Sequence, residues 1–535
     1  MWEVPEEVKK FVRRRINPEG CRNYIYELAE ELLSVDTTPK EDPRLAREAE
    51  ARVFGIIQKE ATADRVEFSF EPLDPRMSEH PYYTPPYYAP GLPPERIYEG
   101  RGNLLARFRG VGQGPILALN GHIDTVAPYV PFRREGDVFY GRGTADDMGN
   151  VLAMVLSIRL LGELEAELGL VPKGELLYMF VIEEETGGNG SLSLALDPEV
   201  AYDAILVHEV TDFRVHPANR GAVWYKVDMV RSDGEINLVE LASHIVLALE
   251  EEGRRIRKES DHPLFPSRPV QTCQGILGPF GSHPSAVNDR VVLAFEFPDG
   301  RKDALRAALE EGLRKYLEKY GRKVERHYVW EELPGGARIT VLGRSGHMGA
   351  IEELDDAITK AAYMVVEAMG TGAEVRLDAE GYDVELSLEG GQGFLPTHSL
   401  EEVTHRMSSA VLRGAREYLE RKGVDAEPGR FVRVSYDKLH NEAYDGDPEG
   451  PLVKAGISAL KLAGLWKGGP VTGWEASCDA RLFAKLRPGH EAVCLGCGDL
   501  SRAHSHEEHI TAKEVASAAE VIVYTVLGYC GAEEV

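Results

Sequence analysis

Cysteine is scarce in this chain, and long apolar runs are missing. Six cysteines scattered over 535 residues do not form a disulfide framework, so we expect a reducing compartment. No apolar run reaches the roughly 18 residues of a membrane span, and the first twenty residues lack the apolar core of a signal peptide. The lone CxxC at Cys494 and Cys497 has no second pair, which makes a zinc-ribbon or redox interpretation weak. The sequence predicts a cytoplasmic protein that does not use a membrane.

Basic residues are also fewer than acidic residues. The chain has 61 lysines and arginines against 88 acids, which gives a formal net charge of −27. Such a chain is a poor partner for nucleic acid or anionic lipid. The glycine-rich turns GGNGS and GRGT lack the lysine and the spacing of a phosphate-binding loop. A nucleotide-binding enzyme is therefore the weakest functional hypothesis.

Helical and strand patterns alternate from about residue 20 to 210. PILALNG, ELLYMFVI and DAILVHE have the apolar pattern of buried strands, and long amphipathic segments separate them. Alternation of this kind predicts an α/β domain with a mostly parallel sheet, whose sites lie at the carboxyl ends of the strands. We expect this first domain to occupy residues 1–220 and to resume at 443–535.

The order of the predicted helices and strands changes between residues 221 and 442. The predicted elements there follow the order βαββαβ, and the same order then occurs again. The two copies agree in element order rather than in residues, so we interpret them as an internal structural repeat. The sequence predicts an inserted α+β lid made of two βαββαβ lobes, at residues 221–330 and 331–442.

Acids and histidines gather where the predicted strands end. In NGHIDTV, His122 and Asp124 are two positions apart, so both side chains can face one way and Asp124 can orient the imidazole, although this segment alone favours an ordinary polar turn. In YGRGTADDMGN, Asp146 and Asp147 precede a long helix, where a capping aspartate is an equally good interpretation. Histidine nitrogens and carboxylate oxygens are the ligands that zinc-like metals prefer.

The segment MFVIEEETGGNGS carries three consecutive acids, Glu183, Glu184 and Glu185. Neighbouring side chains diverge where a strand breaks into a turn, so Glu185 can bind a metal while Glu184 faces a water molecule. A carboxylate beside activated water can take its proton and pass it to a leaving amine. The alternative is an exposed acidic run at a helix start.

Two further candidates follow along the chain. Glu209 lies in LVHEVTD and His504 in SRAHSHEEHI, and their histidine neighbours leave the local assignment open on spacing alone. A histidine-rich surface loop is the plainer alternative for the second segment. Candidate ligands in five separate segments nevertheless favour a metal site.

At this point the sequence resembles a known family, the di-zinc metallopeptidases. This family includes acetylornithine deacetylase, succinyl-diaminopimelate desuccinylase, carboxypeptidase G-type enzymes and PepV-type dipeptidases. GHIDTV is similar to its GHxDxV, GRGTADDMG to its GRGxxDxKG, EETGGNG to its EExGxxG and HEVT to its EPT. DARLF and GCGDLSRAH, with Glu508 four residues later, are similar to its last two elements. The motifs occur in family order and frame nearly the whole chain.

The resemblance implies a catalytic domain of the zinc-peptidase type with two bound Zn²⁺ ions, for which Co²⁺ or Mn²⁺ can substitute. One ion is expected on His122, Asp146 and Glu209. The other is expected on Asp146, Glu185 and His504, with Asp146 bridging the two.

The resemblance also assigns roles to residues that are not ligands. Glu184 is expected to be the general base, and Asp124 to support His122. His347, in GHMGAIEELDDAI, matches the lid histidine of the family and is expected to stabilise the oxyanion. Two substrate-binding candidates remain. Arg481 of DARLF suits a substrate carboxylate, although a structural salt bridge is an equal alternative, and Asn288 lies with His283 in a loop similar to the family's substrate loop.

The sequence thus predicts a metal-dependent hydrolase that cleaves an amide bond in a small carboxylate-bearing substrate, by attack of a metal-bridging hydroxide. A dipeptide or short peptide is the favoured substrate. An N-acyl-amino-acid deacylase of the acetylornithine deacetylase type is the alternative, and a non-catalytic binding protein on the same fold is the alternative of another class. Because the lid is doubled, we expect a monomer in which the first lobe imitates the missing partner.

Overall fold

The computed structural model describes residues 2–16, 18–231, 236–281, 284, 286–347, 355–438 and 441–535. The chain forms two compact units. The first unit comprises Met1–Arg220 and Ala443–Val535, and the second unit comprises Gly221–Glu442.

The helices are α1 (Glu6–Ile16), α2 (Pro18–Leu33), α3 (Pro43–Glu60), α4 (Pro94–Ile97), α5 (Met148–Leu168), α6 (Asn189–Leu196), α7 (Leu238–Glu259), α8 (Lys302–Tyr320), α9 (Ala357–Ala368), α10 (Leu400–Lys422), α11 (Pro451–Ala463), α12 (Ala480–Leu486) and α13 (Ala512–Cys530).

The strands are β1 (Val66–Pro72), β2 (Gly102–Phe108), β3 (Leu117–His122), β4 (Arg133–Glu135), β5 (Val138–Tyr140), β6 (Leu170–Pro172), β7 (Leu176–Val181), β8 (Ala204–Val207), β9 (Ala218–Asn219), β10 (Gly221–Val230), β11 (Thr272–Leu277), β12 (Ala286–Val287), β13 (Arg290–Glu296), β14 (Tyr328–Leu333), β15 (Gly336–Leu342), β16 (Gly346–His347), β17 (Glu374–Leu377), β18 (Glu385–Phe394), β19 (Val432–Lys438), β20 (Tyr444–Asp445), β21 (Glu491–Cys494), β22 (His509–Thr511) and β23 (Ala532–Glu534).

The main sheet of the first unit has the strand order β1-β2-β7-β3-β8-β21. The pairs β7/β3, β3/β8 and β8/β21 are parallel, whereas β1 and β2 join in antiparallel fashion. Every residue of β3, β7 and β8 is buried, as expected for parallel strands covered on both faces. The predicted α/β fold with a mostly parallel sheet is confirmed.

Two buried helices cover this sheet. Most residues of α5 are buried around its whole circumference, which is typical of a helix enclosed in a core. Helix α13 packs against α5 and α11 in the same hydrophobic core. It begins with a capping box, in which Thr511 and Glu514 satisfy each other's backbone N–H groups.

The second unit contains two antiparallel four-stranded sheets among its described residues. Their strand orders are β11-β18-β10-β19 and β14-β15-β13-β17. Apart from the two-residue strands β12 and β16, the element order along the chain is βαββαβ followed by βαββαβ.

The strands of the two predicted lobes are intermixed in space. Each sheet takes two strands from the first copy and two from the second, and β14 crosses the predicted boundary at residue 330. The two sheets therefore do not coincide with the two predicted lobes, and the lobe boundary at that residue stays a prediction. Pairing across the copies satisfies backbone groups that would otherwise remain at open strand edges, and element order alone does not reveal such pairing.

Among the described residues, no helix is both long enough and apolar enough to cross a membrane.

Candidate metal centre

The candidate site lies at the carboxyl ends of three neighbouring parallel strands. Strand β3 lies between β7 and β8 and ends at His122. The acids that follow β7 include Glu185, and Glu209 comes two residues after β8. This is the edge at which the sequence predicted them to meet.

The first cluster consists of His122, Asp146 and Glu209, all buried. One ligand atom from each lies within 4.8 Å of the others. The Nε2 atom of His122 is 3.1 Å from Oδ1 of Asp146.

The second cluster consists of Asp146, Glu185 and His504, whose ligand atoms also lie within 4.8 Å of one another. The Nε2 atom of His504 is 3.1 Å from Oε1 of Glu185 and 3.3 Å from Oδ2 of Asp146. Asp146 thus faces His122 with one oxygen and His504 with the other. A carboxylate in this position is suited to bridging two cations.

The carboxylate of Asp124 holds the backbone next to His122 in place. It accepts backbone N–H bonds from Glu184 at 3.0 Å and from Glu185 at 3.1 Å. The Nδ1 atom of His122 lies 3.0 Å from the carbonyl oxygen of Asp124 and 3.6 Å from its carboxylate. The Nε2 atom is thereby directed at Asp146, which is the orientation that metal binding requires.

The electrostatics of the clusters favour a bound cation. Burial raises the pKa of Glu209 and Glu184 well above the usual range, and neighbouring carboxylates add to the rise. Burial opposes ionisation of Asp146, but hydrogen bonds from His122 and His504 hold its pKa well below the usual range. The two nitrogen and three carboxylate donors present are ligands that Zn²⁺ accepts. The residues therefore fit a pair of divalent metal ions. The positive charge of the ions would favour the ionised carboxylates that burial otherwise disfavours.

The histidines of the two clusters take protons when no metal is bound. Burial lowers the pKa of His122, but hydrogen bonds to Asp124 and Asp146 outweigh it and raise the pKa well above the usual value. For His504, the charge of Glu185 and the hydrogen bond to Asp146 outweigh burial in the same way. Metal binding is therefore expected to release protons.

The three consecutive acids after β7 do diverge, and Glu183 has a role that the sequence did not predict. Its buried carboxylate accepts hydrogen bonds from Tyr88, from Tyr98 at 2.9 Å and from Asn189 at 3.2 Å. The guanidinium of Arg101 lies 3.0 Å from it. These partners are distant in sequence, so local pattern gave no signal of this anchor.

The glycines after the three acids permit a tight approach of the chain. Gly187 and Gly188 have φ values of +135° and +82°, which non-glycine residues rarely adopt. A Cβ atom on Gly188 would also lie 2.5 Å from Oδ1 of Asp479. This turn brings the acidic segment against the DARLF segment.

Arg481 of that segment is buried. Its guanidinium donates to the carbonyl of Gly187 at 3.4 Å and lies 3.7 Å from Oδ1 of Asp479. Burial raises the pKa of Asp479, and the charge of Arg481 counteracts part of that rise. These contacts support the structural alternative for Arg481, and substrate binding remains a prediction.

The acid Glu508 holds the loop that carries Asp146. Its Oε1 atom accepts the backbone N–H groups of Ala145 and Asp146, each at 3.1 Å. Its Oε2 atom accepts from Arg142 at 2.6 Å, and Arg142 also donates to the carbonyl of His504 at 3.4 Å. Burial raises the pKa of Glu508 to about 7, which the charge of Arg142 limits. The sequence matched Glu508 to a family motif without predicting this role.

The neighbouring histidines that were alternative ligands to Glu209 and His504 belong to neither ligand cluster. Nδ1 of His208 donates to the carbonyl of Leu495 at 2.9 Å, and burial lowers its pKa to about 4. His506 is exposed, and His509 contacts the carbonyl of Glu507 at 2.7 Å. Successive residues after a strand point to opposite faces, which separates His208 from Glu209.

The CxxC cysteines have different partners. The Sγ atom of Cys494 is 3.2 Å from that of Cys478, whereas Cys497 donates to Oδ1 of Asn150 at 3.2 Å. Burial raises the pKa of both Cys478 and Cys497 well above the usual value. The two CxxC thiols therefore act in local packing, in agreement with the plainer interpretation of the sequence.

The lid residues belong to the second unit. His347 ends β16, whose backbone pairs with β12. The side-chain oxygen of buried Asn288 accepts the N–H of Arg290 at 2.7 Å and so closes a local turn. His283 lies outside the described residues.

The sequence profile of Peptidase family M20/M25/M40 matches residues 118–528. This chain belongs to that family. The matched range contains all the residues of both clusters.

Individual relatives match over shorter stretches. A candidate LysW-lysine/LysW-ornithine hydrolase of Pyrobaculum aerophilum is 31% identical over 141 residues, which cover 26% of this chain and 38% of the relative. Carboxypeptidase G2 of a Pseudomonas species is 34% identical over 114 residues, which cover 20% of this chain and 26% of the relative. The chain thus spans well under two thirds of these relatives.

The fold extends further than the sequence likeness. The dipeptidase Dug1p of Saccharomyces cerevisiae superposes with a TM-score of 0.58 over 98% of each chain, at 12% identity. This likeness concerns the fold alone and carries no information on substrate.

Proposed function

We propose that the chain is a divalent-metal-dependent hydrolase that cleaves the amide bond of a dipeptide or short peptide with a free carboxylate. The observation that carries this proposal is the shared position of Asp146 between two ligand clusters. A binding scaffold has no need for two adjoining clusters with Glu184 beside them. The family membership of the chain supports the same conclusion.

His122, Asp146 and Glu209 would hold one metal ion, and Asp146, Glu185 and His504 the other. When bound, such ions supply Lewis-acid activation of water and of the scissile carbonyl. The donor set suits Zn²⁺, and Co²⁺ or Mn²⁺ can occupy similar ligands.

Glu184 is the proposed general base. It belongs to neither ligand cluster, yet its backbone is tied by Asp124 to the segment that supports them. Burial and the nearby charge of Asp479 favour its protonated form, whereas Arg481 favours the carboxylate. A carboxylate whose protonated and ionised forms are both stabilised by neighbours can accept a proton from water and donate it to the leaving amine.

His347, Arg481 and Asn288 are proposed to act on the substrate. The lid motif around His347 supports a role in stabilising the oxyanion, which needs a donor directed at the developing charge. Arg481 combines a planar guanidinium with proximity to Glu184, so a substrate carboxylate near it is the proposed anchor. Asn288 is the weaker proposal because its side-chain oxygen already accepts a backbone hydrogen bond.

A panel assay tests the proposal. Purified protein is analysed for bound metal and then assayed on matched dipeptides and N-acyl amino acids, with and without a chelator. We expect bound divalent metal and chelator-sensitive cleavage of dipeptides. Protein that binds no metal, and stays inert after Zn²⁺ or Co²⁺ is restored, would overturn the proposal.

The second candidate is an N-acyl-amino-acid deacylase. It is favoured by the setting of Glu209 in HEVT and by a relative whose name, a desuccinylase, describes removal of an acyl group. Preferential cleavage of the N-acyl amino acids in the same panel would select this candidate over the peptidase.

We also propose that a single chain is the working unit. The repeat supplies two copies of the lid pattern within one chain. Light scattering during an activity measurement tests this proposal. Full activity of a monomer is expected, and activity confined to a dimer would contradict it.

A further inference from the structure

A large cleft lies within the second unit, where α7, α8 and the start of α9 meet. Its volume is about 440 Å³, which falls in the range of sites that hold small organic ligands. All of its lining residues belong to the second unit, whereas the two ligand clusters that share Asp146 belong to the first. The cleft and the candidate metal centre therefore share no residue.

Four basic side chains line the cleft. Arg254 and Arg257 come from α7, Lys319 comes from α8 and Lys323 follows α8. The chain as a whole has a net charge of −27, so a concentration of positive charge is contrary to the general trend. Guanidinium and ammonium groups that converge on one cavity attract an anionic group.

Tyrosine hydroxyls hold two of these basic groups in place. Arg254 donates to Tyr320 at 2.8 Å, and Lys319 donates to Tyr363 at 2.8 Å. Within the described part of the chain, the Nε atom of Arg254 is buried and makes no hydrogen bond. A buried donor without a partner is costly, and an anionic ligand would relieve that cost.

The remaining lining is rich in hydrogen-bond acceptors and hydroxyls. Glu250 accepts from Tyr320 at 2.6 Å, and Asp356 accepts from Thr359 at 2.8 Å. Both acids are buried, and burial together with the charge of Glu250 raises the pKa of Asp356 to about 7. Thr272 also lines this part. The carboxylates can accept hydrogen bonds from the hydroxyls of a polyol, and the threonine hydroxyls can donate to them or accept from them.

We propose that this cleft binds the phosphate ester of a small polyol, with the phosphate at the four basic side chains and the hydroxyls at Glu250 and Asp356. Sugar phosphates and nucleotides share this chemistry. The volume of the cleft suits a small molecule, and its acids disfavour a ligand that carries negative charge on every side. The site is independent of the proposed catalytic function.

The test is direct binding to the full chain by isothermal titration calorimetry. The probes are ribose 5-phosphate, glucose 6-phosphate, AMP and inorganic phosphate, with citrate as a polycarboxylate. We expect saturable binding of at least one ester, stronger than that of inorganic phosphate or citrate. The difference between AMP and the sugar phosphates identifies which kind of ester the cleft prefers.

Paired variants locate the binding. Arg257→Gln with Lys319→Gln removes one positive charge from each of α7 and α8 inside the cleft. Arg255→Gln with Arg314→Gln removes the same charges from the same helices at surface positions paired with Glu251 and Glu311. The cleft variant should weaken binding by about tenfold or more, since it loses two charge-assisted contacts. The surface variant should leave binding unchanged.

Three results would overturn the proposal. The first is the absence of ester binding at millimolar concentration. The second is equal weakening by the cleft and surface variants, which would indicate a general charge effect. The third is binding that survives in the cleft variant but disappears when bound metal is removed, which would assign the phosphate to the metal centre.

Discussion

The carboxylate of Asp124 accepts a hydrogen bond from the backbone N–H of Glu184 at 3.0 Å. Its other oxygen accepts the next N–H, that of Glu185, at 3.1 Å. One side chain thereby links the turn that carries the proposed base and one ligand to the strand end that carries His122. Asp124 is best described as a positioning residue, because it acts through these neighbours.

Replacement of Asp124 by Asn should weaken metal binding without unfolding the protein. The amide keeps the shape of the side chain but retains only one acceptor for the two N–H groups. Loss of such a supporting contact typically costs about 10- to 100-fold in metal affinity. Competition with a chelator of known affinity measures the effect, and unchanged affinity would contradict the positioning role.

The variant Glu184→Gln should separate chemistry from metal binding. The residue lies outside both ligand clusters, so metal content should stay at the wild-type level. Loss of the proton acceptor should lower kcat by about 10²- to 10⁴-fold. Glu185→Gln is the matched control, because the same change one position later should release metal. Substantial turnover by Glu184→Gln would refute its role as base.

Glu183→Gln should affect stability rather than chemistry. The change removes one of the two carboxylates that neutralise the buried Arg101, whose other partner is Glu50 at 2.6 Å. Breaking a buried ion pair costs about 3–5 kcal/mol of unfolding free energy. Denaturant unfolding measures the loss, and Glu199→Gln at an exposed position serves as the control. Equal stability of the two variants would contradict the anchoring role.

His216 should make the free energy of unfolding depend on pH in the mildly acidic range. Burial lowers its pKa to about 4, although its hydrogen bond to the carbonyl of Thr472 opposes the shift. The neutral form is favoured in the folded state, so stability is retained above the unfolded pKa of about 6.5 and lost as the pH falls towards 4.

This effect amounts to about 3 kcal/mol over that pH interval. His216→Gln, which cannot take up the proton, should have a shallower dependence of unfolding free energy on pH between 6.5 and 4. Identical pH profiles for the wild type and the variant would exclude His216 as the source.

The sequence predicted the parallel sheet and the residues at its strand ends, since both follow from local pattern. His122, Asp146 and Glu209 each follow or lead a strongly periodic element, and a strand end fixes where its next side chain can lie. The ambiguity between Glu209 and its histidine neighbour needed the structure, because only the direction of each side chain resolves it.

Other features depend on contacts between distant parts of the chain. Glu183 meets tyrosines and an arginine more than 80 residues away, and Glu508 meets Arg142 across 366 residues. The pairing of β10 with β18 and of β13 with β15 likewise joins the two copies of the repeat. Local periodicity carries no information on such partners, and only spatial packing selects them.

Metal stoichiometry tests whether Asp146 is shared by two metal ions. Metal-free protein is titrated with Zn²⁺ by calorimetry, for the wild type and for Asp146→Asn. If Asp146 is shared by two adjoining sites, the wild type should take up about two equivalents and the variant should lose high-affinity binding at both sites. Wild-type protein that binds no Zn²⁺, or a variant that keeps both equivalents at unchanged affinity, would rule out a bridging role for Asp146.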